Sequence, residues 1–291
     1  MHVPTTKPFT YQLLTDTIHT LTAAYPAIEV LKIGTSRLGK IIYALTLGTG
    51  EKNICVNAAH HANEWITSVV AMKFLEACAK PHGIPQDVTL HMIPMVNPDG
   101  VDLVTGAIEK GTAPYNHAKK IASNFAEPFP EGWKANIFGV DLNSNYPAGW
   151  EFARLHKYRR GYMKPAPRDF VGPDPLSEPE TTALAAYTKA NDFALTISLH
   201  TQGEEIFWEY QHYKPKGAKA IAERLAAVSG YKLEAVPNMS AHGGYRDWFI
   251  EAFHRPGMTV ECGLGENPLP IEDFDGIYQK VGPLLAACLE V

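Results

Sequence analysis

The residues best suited to chemistry gather in Val56-Asn57-Ala58-Ala59-His60-His61-Ala62-Asn63-Glu64-Trp65-Ile66, where an apolar run ends in two imidazoles and a carboxylate. These are donors that zinc takes, commonly three from the protein with a fourth position left open to water. His61 and Glu64 stand three residues apart, as H-x-x-E. With Glu64 at the start of a helix over 65–80, both side chains reach one ion from a strand-to-helix junction. His60, four residues before Glu64, is a rival for the same place. A third donor should follow another apolar strand, and His200 does. It ends Phe193-Ala194-Leu195-Thr196-Ile197-Ser198-Leu199 and precedes the turn-forming Thr201-Gln202-Gly203. Met258-Thr259-Val260-Glu261-Cys262-Gly263 places Glu261 at the end of a further apolar run, an expensive position for a carboxylate without a partner or a task.

Positioning these groups takes alternating strands and helices. Apolar spacing predicts helices over 11–24, 65–80, 181–190, 216–230, 245–252 and 271–289. Short runs of strand composition lie at 28–33, 41–47, 53–58, 88–94, 193–199, 233–236 and 258–262. Gly34 to Gly39 reads as a hairpin-like connection, and Val96-Asn97-Pro98-Asp99-Gly100 as a turn cluster. Ser177-Glu178-Pro179-Glu180 has the S-x-x-E pattern of a capping box. Residues 106–147 carry little periodicity and read as a long irregular region, a kind of segment that often serves function. The basic, aromatic and proline-rich stretch from Tyr158 to Arg168 either rims a cleft for an anionic substrate or is a solvated loop. Strands alternating with helices imply an α/β sandwich.

The chain has 291 residues, of which 45% are hydrophobic, enough for one substantial core and read as a single domain over 1–291. A net charge of −5 lacks the basic excess of a nucleic-acid binder. The start Met1-His2-Val3-Pro4-Thr5-Thr6-Lys7 has no signal-peptide pattern, and no run approaches the roughly 18 apolar residues of a membrane span. The expectation is a cytoplasmic chain with no membrane partner, although a trimmed exported form would look the same. Cys55, Cys78, Cys262 and Cys288 lack C-x-x-C spacing and read as buried free thiols.

His61-Ala62-Asn63-Glu64-Trp65-Ile66, Gly139-Val140-Asp141-Leu142-Asn143, Ser198-Leu199-His200, Gly243-Gly244 followed by Asp247-Trp248, and Thr259-Val260-Glu261 occur in the order and setting of the zinc carboxypeptidase family, which the chain resembles from about Tyr11 onward. The resemblance implies a three-layer α/β/α sandwich around a mixed, mainly parallel sheet; no propeptide or wall-binding repeat is expected within 1–291. It favours His61 over His60 and implies one zinc ion on His61, Glu64 and His200. It makes Glu261 the general base and puts Asp141 behind a histidine ligand, where it fixes the tautomer. A turn or cap aspartate is the plainer reading of Asp141. Lys134 stands near where many relatives place an oxyanion-stabilising arginine, although a surface lysine fits the sequence as well.

Departures from the pattern concern specificity. Relatives clamp a C-terminal carboxylate with an Asn-Arg pair and a mobile tyrosine, whereas here the pair is Asn143-Ser144 and the tyrosine position holds Met239. Losing the guanidinium removes a two-point grip on a carboxylate. By the resemblance, Arg246 stands at the position that lines the floor of the leaving-group pocket in relatives, either facing an acidic group of the substrate or paired with Asp247. These departures, together with His200-Thr201-Gln202-Gly203-Glu204-Glu205-Ile206-Phe207-Trp208 and Gly172-Pro173-Asp174-Pro175-Leu176-Ser177-Glu178-Pro179-Glu180, resemble the bacterial branch that cleaves γ-D-glutamyl-diamino acid bonds in peptidoglycan peptides, with Arg168 a candidate rim cation. A general metallocarboxypeptidase and an inactive peptide-binding relative are the competing readings. Oligomeric state is not legible in the sequence.

Overall fold

A computed structural model of the chain describes residues 2–235 and 242–291. Its strands are β1 (Glu29–Thr35), β2 (Ile41–Leu47), β3 (Lys52–Ala58), β4 (Val88–Ile93), β5 (Phe193–His200), β6 (Glu205–Phe207), β7 (Lys232–Glu234) and β8 (Gly257–Glu261). Its helices are α1 (Tyr11–Ala24), α2 (Ile66–Cys78), α3 (Pro98–Val104), α4 (Ala113–Ala122), α5 (Trp150–Arg159), α6 (Pro179–Ala190), α7 (Ala218–Ser229), α8 (Tyr245–Phe253) and α9 (Phe274–Cys288). The strands make one sheet in the order β1-β2-β4-β3-β5-β8-β6-β7. β4, β3, β5 and β8 form a parallel block at its centre. Antiparallel pairing of β1 with β2, β2 with β4 and β6 with β8 borders that block, and β7 runs parallel to β6.

Helices cover both faces, as the alternation of elements implies. On one side Leu14, Ile18 and Leu21 of α1 and the apolar faces of α2, α7 and α9 pack with Ile54, Val56, Leu195, Ile197, Met258 and Val260. On the other side Leu184 of α6 and Tyr245, Trp248 and Phe249 of α8 pack with Ile42, Ala44, Cys55 and Phe193. Burial on two faces is why the central strands read as unbroken apolar runs. Within this arrangement Ala58, His200 and Glu261 end three adjacent parallel strands, and His200 is the register partner of Glu261. The carboxyl ends of parallel strands are where open α/β sheets gather their functional groups.

Several elements differ from the sequence reading. Asn97-Pro98-Asp99-Gly100 opens α3 rather than forming a turn. The Asn97 side chain accepts from Gly100 N at 3.1 Å, and Pro98 occupies the first helical turn, where its missing N–H costs nothing. The region 106–147 contains α4, which likewise has a proline, Pro114, in its first turn, although the Thr112 side chain makes no cap hydrogen bond. The capping box at Ser177 does not form, because Glu178 and Glu180 turn instead towards Arg37. β6 was not anticipated; three residues are too few for a periodic signal. Glu64 lies in a 3₁₀ turn, Ala62–Glu64, ahead of α2. The last helix begins at Phe274, after a 3₁₀ turn, Ile271–Asp273. All four cysteines are free and buried. Among the described residues no helix is long and apolar enough to cross a membrane.

Candidate metal centre and cleft

Beyond β3 the chain turns sharply at Ala59, which has the left-handed backbone φ of +51°. Thr67 secures the turn: its hydroxyl accepts from Ala59 N at 3.0 Å and donates to Glu64 O at 2.7 Å. His60 is thereby sealed in the core and His61 is turned into the cleft. His60 Nε2 meets the Tyr146 hydroxyl at 3.0 Å, and burial holds the ring well below the ordinary imidazole pKa.

His61, Glu64 and His200 offer ligand atoms that all lie within 4.8 Å of one another. His61 Nδ1 is 2.9 Å from Glu64 Oε1, His200 Nδ1 is 2.8 Å from Glu64 Oε2, and the two Nδ1 atoms are 3.2 Å apart. Two imidazole nitrogens facing each other across a carboxylate present more lone pairs than protons, a set that a divalent cation satisfies. On the far side of its ring, His61 Nε2 is 3.3 Å from Asp141 Oδ1. That contact favours the tautomer with its proton on Nε2 and a free lone pair on Nδ1, as a metal ligand requires. The donor set therefore fits zinc.

The charges respond to this crowding. Burial opposes protonation of His61, but the Glu64 charge, helped by Asp141, outweighs it and lifts the ring to about 9. Glu64 is held well below the carboxylate range by His61, Lys134 and His200 in spite of its burial. Lys134 Nζ sits 2.9 Å from Glu64 Oε1. Burial, followed by the Glu64 charge, pushes the Glu261 carboxyl up to about 8.

A cavity of about 280 Å³ opens beside this cluster, lined by His61, Lys134, Asp141, Asn143, Ser144, Lys157, Arg168, Asp169, Arg246 and Glu261 among others. All the cleft residues anticipated from sequence reach it except Met239, which lies outside the described residues. Glu64 and His200 are buried behind it. Asn143 Oδ1 accepts from Tyr245 N at 3.1 Å, fastening one wall to the start of α8. Gly243, with φ +83°, comes so close that a Cβ there would meet Ser144 O at 2.9 Å. Arg246 places both Nε and Nη2 on Asp247 Oδ1, so the pairing with Asp247 is realised within the cavity wall. Lys157, Asp169, Phe207, His242 and Thr259 also line the cavity and were not picked out from the sequence. Phe207 and Thr259 lay in stretches that carried the resemblance; the others reach the cavity through long-range packing.

Known proteins share this architecture. The solved structure of thrombin-activatable fibrinolysis inhibitor superposes with a TM-score of 0.71 at 16% identity, covering 97% of this chain and 73% of that one. Carboxypeptidase A from Helicoverpa armigera gives 0.71 at 18%, covering 96% and 72%. At such identities the likeness is one of fold. In sequence, the chain is 40% identical over 284 residues to gamma-D-glutamyl-L-diamino acid endopeptidase 1 of Lysinibacillus sphaericus, covering 94% of this chain and 70% of the relative. It is 38% identical to YqgT of Bacillus subtilis (strain 168), covering 90% and 72%. Residues 14–279 match the family model described as zinc carboxypeptidase, and with that match and those relatives the chain belongs to the zinc carboxypeptidase family.

Proposed function

We propose that the protein is a zinc peptidase that hydrolyses the γ-D-glutamyl-meso-diaminopimelate bond of peptidoglycan-derived peptides. The observation that carries this reading is the 40% identity, over 94% of the chain, to a relative named for γ-D-glutamyl-diamino acid cleavage. The cleft supports it, since Ser144 offers no guanidinium for a C-terminal carboxylate and Arg246 is a cation within the wall.

His61, Glu64 and His200 would hold one zinc ion, which when bound supplies Lewis acidity and a water of lowered pKa. Glu261, at the end of β8, takes a proton from the attacking water and passes it to the departing amine as the C–N bond breaks. Lys134 supplies positive charge near the carbonyl oxygen as that oxygen becomes anionic. Asp141 holds the His61 tautomer, and Asn143, Ser144, Arg168 and Arg246 shape the substrate site.

The test is a pair of substrates given to the zinc-loaded protein. L-alanyl-γ-D-glutamyl-meso-diaminopimelate should be split at the γ-amide, and hippuryl-amino acids should turn over poorly. Rapid hippuryl hydrolysis with an untouched tripeptide would establish a general metallocarboxypeptidase instead. Failure on both, with zinc bound, would leave a silent peptide binder.

A further inference from the structure

The cavity has two cationic walls of different character. On one, Arg246 is neutralised by Asp247 and its guanidinium lies 5.8 Å from the centre of the Phe207 ring. On the other, a single carboxylate serves two cations. Asp169 takes the Lys157 ammonium on Oδ1 and Arg168 Nε on Oδ2, the latter at 3.0 Å. Asp141, whose charge also reaches Lys157 and Arg168, faces His61 and Lys134 as well, and among the described residues no carboxylate bonds the outer guanidinium nitrogens of Arg168. The Arg168 side chain is 42% exposed, and among the described residues its two Nη groups have no hydrogen-bond partner. The wall is also fixed close to the metal centre. Asp169, with φ +65°, donates its backbone N–H to Asp141 Oδ2 at 3.0 Å, and Asp141 is the residue in contact with His61.

We propose that Lys157 and Arg168, gathered on Asp169, form a carboxylate subsite for the acyl side of the substrate, which receives the free α-carboxylate of the D-glutamyl residue. This rests on the proposed reaction. In a γ-linked glutamyl peptide the α-carboxylate is free and lies two methylenes and the α-carbon away from the carbonyl under attack. An ordinary α-linked peptide carries an uncharged amide in the corresponding region. A guanidinium with open Nη groups on the acyl side is thus of use to a γ-glutamyl substrate and of little use to a peptide whose acyl residue is uncharged. The substrate has anions on both sides of its scissile bond, and the cleft has cations on two walls. A guanidinium with two free Nη groups can grip a carboxylate at two points. It follows that the enzyme discriminates against peptides in which the glutamyl α-carboxylate is amidated.

The experiment compares L-alanyl-γ-D-glutamyl-meso-diaminopimelate with its α-carboxamide, the D-isoglutaminyl peptide, on zinc-loaded protein. The parent should favour the free carboxylate by about 10- to 100-fold in kcat/KM, the usual worth of charge-assisted bonds. Arg168→Gln should bring that ratio towards one, and Arg168→Lys should keep part of it. Binding gives a readout independent of turnover. L-alanyl-D-glutamate should bind about 10-fold or more tighter than L-alanyl-D-isoglutamine, and Arg168→Gln should erase the difference. Lys157→Gln should reduce it as well. Equal cleavage of both peptides by the parent overturns the subsite while leaving the proposed reaction standing. Variants that slow both peptides alike overturn it too, since Lys157, Asp169 and Arg168 would then be structural only. Cleavage of neither peptide removes the proposed reaction and the subsite with it.

Discussion

Two groups of buried charges are both in contact with the loop 134–141, and only one of them is built like a place for chemistry. In the first, Glu178 accepts both Nε and Nη2 of Arg37 at 2.9 Å, Asn136 Nδ2 at 2.6 Å and the Ser177 hydroxyl at 3.1 Å. Close by, Glu180 accepts Arg37 N, and Asp99 accepts Leu38 N with Lys40 Nζ 3.3 Å away. These contacts tie the turn between β1 and β2 to α3 and α6. In the second group His61, Glu64 and His200 aim ligand atoms at one another, and the cavity opens beside them. Acidic residues are as numerous in the first group, so buried carboxylates alone do not mark a site. The separation comes from what the groups face: in the first, guanidinium, amide and backbone protons meet the carboxylates, whereas in the second two imidazole nitrogens face each other across one carboxylate.

That contrast breaks first at His200. Replacing it with alanine removes one of three ligands, and loss of zinc should lower kcat/KM by about a thousandfold or more, given several kcal/mol of Lewis-acid stabilisation at tenfold per ~1.4 kcal/mol. Metal analysis of the purified variant should show zinc depleted. Glu261→Gln sharpens the point, since it should keep the metal and lose about a hundredfold or more in kcat. A His200→Ala protein with full zinc content would show that the metal lies elsewhere.

The Arg37 cluster should answer in stability instead. Glu178→Ala strands the Asn136 amide and the guanidinium; because Arg37 is itself 40% exposed, water recovers part of the loss. A destabilisation of about 2–3 kcal/mol is expected, below the 3–5 typical of fully buried pairs. Urea unfolding measures it, and zinc content should be unchanged. A loss under about 0.5 kcal/mol would demote the cluster to surface ion pairs.

What could be read from the sequence follows the same division. His61, Glu64, His200 and Glu261 were legible because each interrupts or ends an apolar run, and an ionisable group in that position demands a reason. Spacing brought His61 and Glu64 together, but not His200 and Glu261, which the parallel register sets against each other. The central sheet was visible for its composition, while β6 was too short, and α3 was hidden because Asn97-Pro98 serves a helix start as readily as a turn. Ser177-x-x-Glu180 misled because the partner of Glu180 is 143 residues away. Lys157 and Asp169 carry no local pattern at all, and only the folded loop places them beside Asp141.

The smallest effect expected is also the most specific to the structural cluster. Glu180 is fully buried, and its Oε2 has no partner among the described residues. Burial raises its carboxyl to about 7, against the pull of the Arg37 N–H bond. In the unfolded chain this group ionises near the ordinary value of about 4.3, so between about pH 4.3 and 7 the fold holds a proton that the unfolded chain has released. The stabilising contribution is thus complete below the unfolded pKa and falls away as pH climbs to the folded one. Glu180→Gln, which cannot ionise, should remove this component. The difference in unfolding free energy between variant and parent should shift in favour of the variant by about 1–3 kcal/mol from pH 5 to pH 7.5. Zinc-loaded protein is used for both, so that the metal centre contributes equally. Parallel stability curves would mean that Glu180 is already ionised in the fold, and the two clusters would then differ less than their contacts imply.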